Sequence, residues 1–197
     1  KIILGVQTGI TQKKINYTDL SFDNQFDGFV YNPQLGINES FSNNNRTYLN
    51  ANLGSVYIYD IGKRKKIEAG ISLHNLNKPQ QSFYNDQQVK LDVRLTFYAT
   101  SQIYINKKWD ILPSMQFMDQ GPHTEIIAGA MGKFIFNDKA PFNRSVYAGY
   151  FGRIKDAGYI LLAMDYDQWK VGVSYDINFS KLEQASRNRG GLEVSVI

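Results

Sequence analysis

The chain has 197 residues, 43% hydrophobic and 20% charged, with net charge +4 and no cysteine. That composition is not disordered, and it excludes a disulfide scaffold or a thiolate metal site. Mean hydropathy is negative and no run of eighteen apolar residues exists, which argues against transmembrane helices but not against a membrane β-barrel, whose polar lumen and loops dilute the average.

Helical periodicity is hard to find, and ten segments read as strands: Lys1 to Thr11, Arg46 to Asp60, Arg64 to Leu76, Gln88 to Ile105, Lys107 to Asp119, His123 to Phe136, Arg144 to Ile154, Ala157 to Asp165, Gln168 to Phe179 and Gly191 to Ile197. Alternation is cleanest in Val89, Leu91, Val93, Leu95 and Phe97 against Lys90, Asp92, Arg94, Thr96 and Tyr98. It recurs in Ile67, Ala69, Ile71 and Leu73, and again from Trp169 to Phe179. Such strands have two different solvents on their two faces. The last of these is bilayer-sized, since a tilted spanning strand needs about 9–11 residues. The chain begins and stops inside strand-like sequence without an initiator Met, so it reads as a mature piece of a longer protein.

The connections sort by parity. With the first strand running upward, the lower connections near Ile61-Gly62-Lys63, Asn106, Asn137 to Asn143 and Tyr166-Asp167 are never long. The long ones, Gln12 to Asn45, Asn77 to Gln87 and Ser180 to Gly190, are all upper. Short turns on one side and long loops on the other is how outer-membrane barrels are built. Near the lower turns Tyr57, Tyr59, Trp109, Phe134, Phe136 and Trp169 share the apolar parity of their strands, as an aromatic girdle would. Phe117 and Phe179 fall at the upper ends of that face. Pro113 inside a strand predicts a bulge. The run Ile160-Leu161-Leu162-Ala163-Met164 is apolar on both faces, so a plug, a partner or a soluble core covers its second face.

Few residues suggest chemistry. His123 and Glu125 share a strand face and could touch one ion, but neither they nor His74 has a visible third ligand, and polar strand ends are the plainer account. Lys90, Asp92 and Arg94 with Glu68 read as lumen charges pairing across strands rather than as a catalytic group, which would need a nucleophile and a pocket. No glycine-rich turn opens a helix, so the glycines are read as barrel curvature. No catalytic residue, metal or cofactor is expected, and no enzyme. The basic cluster Lys63 to Lys66 is turn-sized, so no nucleic-acid partner is expected either. The upper loops are the better candidates. Gln12 to Asn45 carries Tyr17, Phe22, Phe26, Phe29 and Tyr31 in an Asn/Asp-rich setting, which predicts a lumen plug or a partner contact. Lys181, Arg187 and Arg189 are placed to meet an acidic partner or lipopolysaccharide headgroups, or to stand solvated.

Three stretches carry a family resemblance. Leu4-Gly5-Val6-Gln7-Thr8-Gly9-Ile10 with Asn16-Tyr17-Thr18-Asp19-Leu20 resembles a PorP/SprF-like protein, as does Leu53 to Tyr59 followed by Ala69-Gly70-Ile71-Ser72-Leu73-His74-Asn75-Leu76-Asn77. The strongest match is Ser174-Tyr175-Asp176-Ile177-Asn178-Phe179-Ser180-Lys181-Leu182, then Ala185 to Ser195. The family's N-terminal segment with an Asn-Pro-Ala-Tyr-like motif is absent. The resemblance implies an all-β, antiparallel transmembrane barrel in the outer membrane of Bacteroidota-type bacteria, a single domain with about ten strands here and roughly 14 in the intact protein. It further implies an accessory of the type IX secretion and gliding machinery. Its partners would be a secreted adhesin's C-terminal domain, which it anchors or helps export, other secretion components and outer-membrane lipid. A porin-like channel for a small solute is the alternative. A soluble barrel or sandwich around an apolar ligand is a third reading.

Overall fold

The computed structural model describes residues 1–16, 20–36, 43–62, 64–137, 143–154, 156–179 and 190–197. Among these there is no α-helix, only one 3-10 turn at Asp23–Gln25. Ten strands form: β1 (Ile2–Lys14), β2 (Asn45–Gly62), β3 (Lys65–His74), β4 (Arg94–Tyr104), β5 (Trp109–Gln120), β6 (His123–Asn137), β7 (Arg144–Arg153), β8 (Ala157–Tyr166), β9 (Trp169–Asn178) and β10 (Leu192–Val196). They make one antiparallel sheet in sequence order, open, with β1 and β10 as its edges. All ten expected strands are present. The described chain divides into two compact units, one of residues 1–5, 53–73 and 94–197, the other of residues 6–52 and 74–93.

The first unit is a wall of strands whose register keeps each parity on one face. Residues directly opposite each other in an antiparallel pair share a face. One row therefore reads Ile111, Gly132, Ala148, Leu162, Val173 and Val194 from β5 to β10. The next reads Trp109, Phe134, Val146, Met164, Val171 and Val196. This face is apolar and exposed; Leu162 is 57% exposed and Val194 66%. Its aromatics gather at one level: Tyr57 stacks beside Tyr59, Trp109 meets Phe134 edge-on at 4.9 Å, and Tyr166 pairs with Trp169.

The buried side chains belong to the opposite parity. Ile135, Tyr147, Phe151 and Ala157 are buried there, and so are Asp110, Ser145 and Asp165. A water-soluble domain arranges its residues the other way round, with charge outside and aliphatics within. Tyr98 on β4 lies across Gly70 on β3, where a Cβ would overlap its ring, and its hydroxyl donates to Glu68 Oε1 at 3.0 Å. The doubly apolar stretch is resolved by this alternation. Ile160, Leu162 and Met164 take the exposed face, while Leu161 and Ala163 line a hollow of about 420 Å³ with Leu112, Met131 and Tyr147.

Two expectations fail. The strand placed at Gln88 to Ile105 begins only at Arg94, because the backbone of 89–91 is bonded elsewhere: Gln81 N–H donates to Val89 O and Leu91 N–H to Pro79 O. Alternating sequence there builds a return ribbon in the second unit instead of strand. The bulge expected at Pro113 does not form either. Pro113 pairs in register with Ala130, and the β4 ladder breaks between Thr100↔Ser114 and Ile103↔Ile111, resuming in the same register without an inserted residue. Register shifts fall instead at Asp60/Gly62 and Ile135/Asn137.

Candidate partner-binding site

In the second unit, the connection between β1 and β2 folds into a small hairpin built from its polar residues. Gln25, 4% exposed, accepts the Phe22 N–H on Oε1 at 3.0 Å, and its carbonyl accepts the Asn32 N–H at 2.7 Å. Phe26 and Tyr31 then pair as an isolated antiparallel bridge. Asp27 closes the tip: its N–H donates to Val30 O at 3.2 Å, and its Oδ1 accepts the N–H groups of Phe29 at 2.9 Å and Val30 at 2.8 Å. These amides, Val30 foremost, hold the Asp27 carboxyl below the usual carboxylate range. Gly28 sits at φ +99°, a conformation that L side chains rarely adopt. The outcome is Phe29 at 91% exposure, flanked by Val30, Phe26 and Tyr31, all more than half exposed. Asn24 and Asn32 brace the following turn through Gly36 O and the Gln34 N–H.

The hairpin gathers Phe26, Phe29 and Tyr31, three of the expected partner-binding residues, on six consecutive positions. Phe22 stands before it and is half-buried. Tyr17, Lys181, Arg187 and Arg189 lie outside the described residues. Val30 was not expected, though an Asp-Gly pair between apolar residues is a hairpin signal. A second loop, 75–93, packs within the same unit. Arg46 donates to the Gln80 carbonyl and side chain, Lys13 Nζ to Gln81 Oε1 at 2.6 Å, and Asn43 Nδ2 to Asn85 Oδ1 at 3.1 Å. The buried Ser82 accepts the Tyr84 and Asp86 N–H groups. Such amide and hydroxyl pairs have no periodicity to betray them in sequence.

On the polar face of the wall, charges cluster toward one end. Asp110, fully buried, accepts from Gln102 Nε2 at 2.7 Å and lies 3.6 Å from Arg64 Nε. Arg64 also stacks on Tyr104 and donates to the Asn106 and Lys107 carbonyls. Asp165 accepts the hydroxyls of Ser145 and Tyr147 and pairs with Lys133 at 3.7 Å and Lys170 at 3.5 Å. The charge group expected on one strand face is not assembled: Lys90 and Asp92 lie outside β4, and Glu68 pairs with Lys66 and Tyr98. His123 and Glu125 share a face of β6, and among the described residues no group of three potential metal ligands forms.

The model of the family described as type IX secretion system membrane protein PorP/SprF matches residues 1–197. The chain belongs to this family. No curated protein and no solved structure matches it. PorP/SprF is a family of secretion-system membrane proteins, not of enzymes. No helix among the described residues is long and apolar enough to cross a membrane. The ten antiparallel strands, apolar on one face with an aromatic level, are the elements of a transmembrane β-barrel.

Proposed function

We propose that this PorP/SprF protein is an outer-membrane barrel that anchors or helps export a large secreted adhesin through the adhesin's C-terminal domain, alongside other type IX components. The observation that carries the reading is the tip of the 26–31 hairpin, an aromatic cluster fixed by hydrogen bonds and held out in the open. Rigid aromatics give binding area at low entropic cost, and a few such anchors usually dominate a protein interface. Lys181, Arg187 and Arg189 supply electrostatic support in this proposal. Hydrocarbon does not tolerate unpaired strand edges, so we place the ten strands in a single closed barrel domain of roughly 14.

The test replaces Phe26, Phe29 and Tyr31 with serine in the full-length protein. Surface adhesin should fall severalfold while the barrel still inserts and keeps its heat-modifiable gel mobility. Unchanged adhesin retention would remove the hairpin from the interface. The alternative, a channel for a small solute, requires a wet polar lumen, whereas the hollow on that face sets Leu112, Met131 and Leu161 beside the paired Lys133, Asp165 and Lys170. Steady, partner-independent conductance in planar bilayers would restore it.

A further inference from the structure

A second recess lies on the polar face of the wall, at the opposite strand ends from the Asp110 and Asp165 clusters. It measures about 400 Å³ and is lined by residues of β4, β5, β6, β7 and the β7–β8 connection, among them Arg94, Arg153, Glu125, Asp156, Met118 and Ile154. Its two arginines are in different states. Arg153 is spoken for: Nε lies 2.9 Å from Glu125 Oε1, and Nη1 lies 2.9 Å from Asp156 Oδ2. Arg94 is not among the ion-paired residues, and its Nε is buried with no hydrogen-bond partner among the described residues. Asp119, a nearby carboxylate on β5, is occupied locally by the Thr124 hydroxyl at 2.6 Å.

A guanidinium binds a carboxylate side-on through Nε–H and one terminal N–H, two parallel charge-assisted bonds. The orphaned Nε of Arg94 is half of that fork. A buried donor left unpaired is unfavourable, and a partner that satisfies it gains the difference. The charge balance then narrows the class of ligand. Among the described lining residues, Arg94 and Arg153 balance Glu125 and Asp156. One carboxylate leaves a single excess negative charge, whereas a phosphate dianion would leave two beside existing carboxylates. Met118 and Ile154 add an apolar wall that a hydrated inorganic ion cannot use.

We infer that this recess binds one organic carboxylate, held by Arg94, whose apolar neighbour packs against Met118 and Ile154, as a glutamate between aliphatic residues would present it. The inference does not depend on the hairpin being the adhesin contact. The experiment uses full-length protein in detergent micelles and a fluorescent, end-capped pentapeptide with one glutamate between valines. Its glutamine counterpart is the control, and acetate and inorganic phosphate are competitors. The glutamate peptide should bind about tenfold more tightly than the glutamine one. Arg94→Gln should erase that difference, Arg94→Lys should restore part of it, and Met118→Ser should weaken the peptide without altering acetate competition. Heat-modifiable mobility checks that each variant is folded. Equal binding of the two peptides, or discrimination surviving Arg94→Gln, would overturn the site. Acetate as effective as the peptide would overturn the apolar contact and with it the proposed ligand. Phosphate displacing the peptide more readily than acetate would assign the recess to phosphate-bearing ligands instead.

Discussion

On the strands, exposed Ile111, Leu162 and Val194 stand in a row of like residues that continues across hydrogen-bonded neighbours. On the loop hairpin, Phe26, Phe29, Val30 and Tyr31 are just as exposed, but they occupy six residues amid Asp23, Asn24, Asp27 and Asn32. Exposure means different things in the two places. A surface that stays apolar from strand to strand, with its buried charges on the reverse side, is matched to hydrocarbon. A small aromatic point on polar supports is too little to anchor in a bilayer and enough to seat in a protein groove.

The comparison breaks first if the reverse face is not held by charge. Asp165→Ala strands Lys133 and Lys170 beside Tyr147 and should lower stability in micelles by about 3–5 kcal/mol in urea unfolding. Adding Lys133→Met and Lys170→Met should recover much of that loss. Next, Leu162→Arg should cost about 2–4 kcal/mol if that row sits near mid-bilayer. Ser174→Arg, on the other parity, faces Glu193 across the β9–β10 pair and should cost less than about 1 kcal/mol. Equal costs at both positions would end the two-solvent reading of the sheet. For the hairpin, Phe29→Ala should leave the unfolding midpoint within about 0.5 kcal/mol of the parent, as an exposed residue does, yet reduce adhesin retention. The smallest effect is acid sensitivity of the tip. Asp27 titrates below its unfolded value, so its stabilisation is complete above the ordinary carboxylate pKa of about 3.9 and is lost as pH falls through the lower folded value. Amide shifts of Phe29 and Val30 should follow that titration and stop following it in Asp27→Asn.

Strand existence was legible because alternation survives in the sequence whatever pairs with it; Val171, Val173 and Tyr175 state their face without knowing β8 or β10. Strand ends were not, since they depend on which backbone groups find ladder partners. Val89 and Leu91 alternate as well as Leu95 and Phe97, yet their backbones bond to Gln81 and Pro79. The aromatic richness of the long loop was readable, and its Asp27-Gly28 pair marks a turn. That Gln25 would be buried as the hairpin's internal support was not readable, because a glutamine looks the same in solvent. Arg64–Asp110 and Lys133–Asp165 escaped for a related reason: their proximity depends on register, which single-strand patterns leave open.

Sequence-order pairing also fixes a kinetic ranking. Every strand bonds only to its chain neighbours, so each step of assembly closes one loop. Closure entropy grows slowly with length, about 0.6 kcal/mol for each doubling. The β8–β9 turn at Asp167, already at φ 55°, and the β5–β6 turn at Gly121 are short closures that zip early. The β1–β2 closure must span residues 15–44 and is the slowest of the set. Within this sheet the segment that carries the aromatic hairpin is thus the last to be sealed, and a chain stalled there would have its other strands paired with the hairpin still loose.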